Sequence, residues 1–120
     1  MDLLIRKDEQ SQADKDIRDW GSLTWLASGS LENARGVTVG RVVIKKGMSN
    51  PPHVHGNSEE ILYLLRGKLE HYVGEAVTSM ASGDTITIPA GIRHHAQSVG
   101  DEDADMMVVY SSAYREYENV

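Results

Sequence analysis

The stretch Asn50–Gly67, NPPHVHGNSEEILYLLRG, holds two of the chain's five histidines separated by one residue, then two adjacent glutamates, then an apolar run. His53 and His55 share a face of any extended segment, because side chains on a strand alternate with a period of two. Glu60 opens the apolar run, and the pairing that turns Glu60 inward turns Leu62 and Leu64 inward with it. Glu59 and Tyr63 then face out. A second segment runs from Gly83 through Pro89 and Gly91 to His94. Because His94 follows the Pro89-Ala90-Gly91 turn, it and Glu60 can converge with the histidine pair on one point. His95 adjoins His94 and faces the opposite way on a strand.

Composition narrows what such a point can be. A chain of 120 residues suffices for one domain with one core. Hydrophobic residues make up 40% and charged residues 25%, as in an ordinary globular domain. The net charge of −6 argues against a nucleic-acid partner, since phosphate neutralisation needs a basic excess. The adjacent basic pairs, Arg6-Lys7 and Lys45-Lys46, are too short to form a patch. There is no cysteine, which excludes disulfides, thiolate ligands and cysteine nucleophiles, so any metal must be held by nitrogen and oxygen. The start, MDLLIRKDEQ, lacks the apolar core of a signal peptide, and no run approaches the roughly 18 apolar residues of a membrane span. The expectation is a cytoplasmic protein with no membrane partner.

Residues 6–19, RKDEQSQADKDIRD, are dense in charge and read as a solvated loop or short helix. Residues 1–20 are therefore taken as a polar arm or lead-in, and 21–120 as a single domain. From Trp20 onward the pattern is that of strands: SLTWLAS, RGVTVGRVVIKKG, EILYLLRG, KLEHYVG, DTITIPAG, HHAQSV and ADMMVVYSS. Most are short, β-branched or aromatic, and end at Gly, Pro, Asn or Asp. No later window has a sustained helical period. Such spacing predicts an all-β sandwich or barrel.

Taken with their flanks, the two segments resemble the two motifs of the cupin superfamily. The first reads Gly47, five residues, His53, one residue, His55, four residues, Glu60, six residues, Gly67. The second reads Gly83, five residues, Pro89, one residue, Gly91, two residues, His94, with Lys68 to Ser82 as a short spacer. The asparagine that often closes the second motif falls at Ser98, a position that is not a ligand in the family. The resemblance implies a double-stranded β-helix, a jelly-roll barrel of antiparallel strands with a metal near its mouth. It carries the family's ligands over to His53, His55, Glu60 and His94. It also implies a homodimer, as do exposed strand edges that need cover.

Three imidazoles and a carboxylate suit iron, manganese, nickel, cobalt, copper or zinc; magnesium and calcium prefer oxygen shells. Iron or manganese is favoured. Four protein donors leave two positions free on an octahedral ion, as a catalytic site requires. Two further residues are candidates for catalysis. Arg41 shares a face with Val37, Val39 and Val43; inside a barrel it would need an anion such as a substrate carboxylate. The opposite face carries Val42 and Ile44, and if that face is the inner one Arg41 is exposed. His71 alternates with Leu69 and Val73, which makes it either a proton-carrying imidazole in a cavity or a hydrogen-bonded core residue. The expected function is a metal-dependent enzyme on a small polar organic molecule, of dioxygenase, isomerase, epimerase or lyase type. The alternatives are a non-catalytic ligand-binding or sensor protein and an oligomer that the metal only braces.

Overall fold

The computed structural model describes residues 3–120. A short helix, α1 (Asp8–Ala13), leads into strands β1 (Asp16–Arg18), β2 (Gly21–Ala27), β3 (Thr38–Ile44), β4 (His53–Val54), β5 (Glu60–Arg66) and β6 (Lys68–Val73). The chain continues through β7 (Ala76–Ala81), β8 (Thr85–Ile88), β9 (His94–Ser98), β10 (Ala104–Tyr110) and β11 (Glu118–Asn119). One sheet has the order β1-β2-β3-β10-β5-β8 and the other β11-β4-β9-β6-β7, with antiparallel neighbours throughout. The crossed order, with sequence-distant β10 between β3 and β5, is that of a jelly roll, a double-stranded β-helix.

Alternation builds the core. Val42 and Ile44 of β3, Leu62 and Leu64 of β5, and Met106 and Val108 of β10 turn inward and meet Leu69 and Ala96 from the second sheet. Ile44, Leu64 and Leu69 are wholly buried, and each such side chain contributes roughly 1.5–3 kcal/mol relative to exposure. The same inward row on β5 begins with Glu60, and β10 sets Tyr110 directly opposite it. One end of the barrel is thus closed by aliphatic side chains, while the other end of the same strands carries polar groups.

Two turns fix that arrangement. Gly67 joins β5 to β6 at φ +89°, a left-handed conformation that favours glycine, and a Cβ there would lie 2.8 Å from the Asp103 carbonyl oxygen. The Gly91 amide donates to the His55 carbonyl at 2.9 Å, tying the loop before β9 to the segment after β4.

The strand pattern read from sequence omits β7. Its burial is almost entirely outward, with Met80 the one buried residue, and AVTSMA shows no apolar alternation because the strand lies at a sheet edge. Part of the charged lead-in is also built into the fold, since Asp16–Arg18 pairs with Gly21–Leu23 at the margin of the first sheet.

Candidate metal centre

His53 lies in β4, directly across from His94 at the start of β9. His55 follows β4, and Glu60 begins β5 in the facing sheet. All four are buried, and one donor atom from each lies within 4.8 Å of the others. An ion held roughly 2.0–2.2 Å from each donor fits a cluster of that size after slight contraction. Glu60 Oε1 is 3.1 Å from His94 Nε2 and 3.3 Å from His55 Nε2.

Backbone carbonyls set the tautomer of every histidine in the cluster. His53 Nδ1 donates to Pro51 O at 2.7 Å, His55 Nδ1 to Glu116 O at 2.9 Å, and His94 Nδ1 to Ile92 O at 2.8 Å. A carbonyl oxygen only accepts, so each Nδ1 carries the hydrogen and each neutral ring turns an Nε2 lone pair inward. Three lone pairs and a carboxylate crowded together repel unless a cation sits among them. His55 Nε2 is buried with no partner beyond its fellow ligand Glu60, the mark of a donor atom awaiting a ligand. The residues therefore fit a divalent transition ion bound by three nitrogens and one oxygen.

The electrostatics agree. Burial pushes the His53 imidazole down to about 4, helped by the neighbouring His94 and His55. Burial would push the Glu60 carboxyl up, but hydrogen bonds and charge from His55 and His94 together hold it well below the usual carboxylate range. At His94 burial lowers the pKa, while the Glu60 hydrogen bond and charge raise it by more. Without an ion, His94 thus serves as the counter-cation of Glu60.

The cluster borders an interior cavity of about 80 Å³, lined on its apolar side by Leu62, Ala96, Met106 and Val108. His71 faces this cavity from β6, buried, with Nδ1 lacking a partner; burial lowers its pKa to about 4. Its ring centroid is 6.2 Å from that of His94. Arg41 is a correction. It lies on the outer face of β3, because Val42 and Ile44 take the inner one, and it forms a bidentate pair with Asp105 at 2.8 and 2.6 Å. No catalytic role follows for a side chain that points away from the cavity. His95 also sits outside, stacked on Tyr72 at 4.6 Å.

Other residues of the site escaped the sequence reading. Tyr117 stacks on His53 at 5.0 Å, Tyr110 meets His55 edge-on at 4.7 Å, and Arg115 reaches the cavity from the same tail that carries Tyr117. The tail then pairs with β4 through Glu118 and Asn119. Tyr110 was within reach as the last inward residue of β10, opposite Glu60. Arg115 and Tyr117 carried no local signal, since the tail's path over β4 is a tertiary fact.

A model of the cupin domain matches residues 40–110, more than half of the chain. The chain belongs to the cupin family. Among curated cupin relatives, an oxalate oxidase of Triticum aestivum is 32% identical over 104 residues, 80% of this chain and 45% of that protein. A germin-like protein of Oryza sativa subsp. japonica is 34% identical over 91 residues, 67% of this chain and 39% of that protein. The chain thus spans less than half the length of these relatives. Among solved structures, an oxalate oxidase in complex with the substrate analogue glycolate superposes with a TM-score of 0.76 at 26% identity, covering 87% of this chain and 57% of that one. The oxalate decarboxylase of Lactobacillus farciminis, at 21% identity and a TM-score of 0.82, shares the fold, with 89% of this chain and 33% of that one covered.

The buried histidines give the metal-free cupin a defined pH response. His53 and His71 titrate near 4 when folded and near 6.5 when unfolded, so below about 6.5 the unfolded chain takes up protons that the native state refuses. His94, whose pKa is raised, opposes that slope near pH 6.5 and ceases to as the pH falls and the unfolded chain protonates too, while the lowered Glu60 reinforces the slope toward the acid end. Urea unfolding of metal-free protein is expected to show stability falling from pH 6.5 to 4, by up to about 1.4 kcal/mol per pH unit for each histidine. A His71→Asn variant should lose part of that slope. Constant or rising stability over this interval would contradict buried neutral imidazoles.

Proposed function

We propose that this cupin is a metal-dependent enzyme acting on a small polar organic molecule, with iron or manganese held by His53, His55, Glu60 and His94. The observation that carries the reading is the four-donor cluster at a cavity, where no fifth protein ligand completes the shell among the described residues. A structural ion is normally closed off by protein donors, whereas two free positions suit substrate or oxygen. When bound, the ion would supply Lewis acidity toward a carboxylate or carbonyl oxygen, or redox chemistry with oxygen.

The chain's own residues would do the rest. Leu62, Met106 and Val108 exclude water, and the cavity admits a substrate of few non-hydrogen atoms, well below the usual drug-sized ligand. His71, neutral and without a partner at Nδ1, is proposed to accept or return a proton from within the cavity. Of oxygenase, isomerase, epimerase and lyase chemistries, similarity to oxalate oxidases favours the oxidative or carbon–carbon-cleaving types on a small organic acid. The test is turnover by metal-loaded protein of oxalate, glycolate and related acids, followed by oxygen uptake and by product NMR. His71→Asn is expected to lower kcat by about 10²–10⁴ with bound metal unchanged. Ligand binding without turnover would favour a binding module instead.

We also propose a homodimer. Leu3, Leu4 and Ile5 of the N-terminal arm are 77, 70 and 68% exposed, and Ile17 in the edge strand β1 is 75% exposed, apolar surface that a second copy would cover. Sedimentation at micromolar concentration should give twice the 13.2 kDa chain mass; a monomer would refute this.

A further inference from the structure

Arg115 is the cavity's uncommitted cation. Its guanidinium carbon lies 4.4 Å from the ring centroid of Trp25, 5.1 Å from Tyr110 and 5.3 Å from Tyr117. Two of those rings, Tyr110 and Tyr117, also pack against His55 and His53. The guanidinium is therefore held by the aromatic shell of the candidate metal centre. Cation–π attraction of this kind does not use the guanidinium's N–H donors.

At least one of those donors meets no acceptor among the described residues. Nη1 is buried without a hydrogen-bond partner, and no carboxylate lies within ion-pair distance of Arg115 among the described residues. Asp16 lines the same cavity, but both of its oxygens are taken by Arg18, each at 2.8 Å. An arginine N–H stripped of water and left unpaired is costly, and a carboxylate is the group whose geometry satisfies two such donors at once. Charge points the same way. The Asp16–Arg18 pair is neutral and Glu60 offsets Arg115, so a divalent ion leaves the cavity net positive.

We propose that Arg115 binds a carboxylate of the substrate, and that the substrate is a short organic acid with oxygens at both ends, one end for the ion and one for Arg115. Three neighbouring aromatic rings confine the guanidinium, so less ordering is left for it to undergo on meeting that carboxylate. This rests on the metal-enzyme reading above, yet the two can fail separately.

The experiment compares oxalate with oxamate, in which an amide replaces one carboxylate, by calorimetric titration of metal-loaded wild-type, R115Q and R115K proteins. Wild type should bind oxalate about tenfold more tightly than oxamate or better. R115Q, which keeps a planar end group for stacking but no charge, should bring the ratio within about twofold, while R115K keeps part of the preference. A purely structural Arg115 would instead lower the melting temperature of R115Q and leave the oxalate-to-oxamate ratio intact, which overturns the proposal. So does a wild type that does not discriminate, a result that stands even if R115Q folds too poorly to compare. Metal content is measured first on the same samples. A chain that takes up no ion sinks the enzyme reading, while oxalate binding to metal-free wild type that R115Q loses and R115K partly keeps still decides Arg115.

Discussion

Three buried imidazoles facing one buried carboxylate impose the constraint on which this end of the barrel depends. Each imidazole is locked by a carbonyl on Nδ1, so Nε2 cannot turn away to find another partner. The carbonyls come from three separate segments: the approach to β4, the approach to β9 and the C-terminal tail. Once those segments are seated, the lone pairs are forced together and a cation becomes part of the native state's polar balance. In its absence a proton on His94 neutralises Glu60 in part, while His55 Nε2 has no partner beyond Glu60. The site is held ready by backbone geometry, and side-chain packing around it prevents relaxation.

The same alternation that makes the core makes the site. On β5 the inward row passes from Glu60 to Leu62 to Leu64, and on β10 from Tyr110 back to Val108 and Met106. The apolar members bury the strands and so fix the direction of the polar members at the row's end. A one-residue slip of β5 would bury Ile61 and Tyr63 and expel Glu60, so the core's hydrophobic energy enforces the register of the ligand. Gly67 ends that strand where any side chain would collide with the Asp103 backbone.

Much of this was legible in the residues. Strand parity and two turns let His53, His55, Glu60 and His94 converge, because local periodicity decides which side chains share a face, and the resemblance to the cupin motifs singled them out as ligands. Tertiary choices were less so. Arg41 could face either way until Val42 and Ile44 were seen to occupy the core, since both faces of β3 carry valines. Strand β7 left no alternation because an edge strand buries almost nothing. Arg115 and Tyr117 lie in a tail whose sequence has no strong period, and only its path over β4 brings them to the cavity. The ligand set was thus legible in two local motifs and their resemblance to the cupin pattern, and the groups that would select a substrate were written in the docking of a distant segment.

The central claim is that these four side chains hold one transition ion which the fold does not need in order to form. Elemental analysis of dialysed protein, with far-ultraviolet circular dichroism on the same samples, tests it most directly for wild type, His53→Ala and Glu60→Gln. The account predicts about one ion per wild-type chain, almost none in either variant, and strand spectra that superpose. Variants that keep a full complement of metal, or a wild type that takes up none, would contradict it. Variants that lose both metal and strand signal would show that the ion is a brace for the barrel.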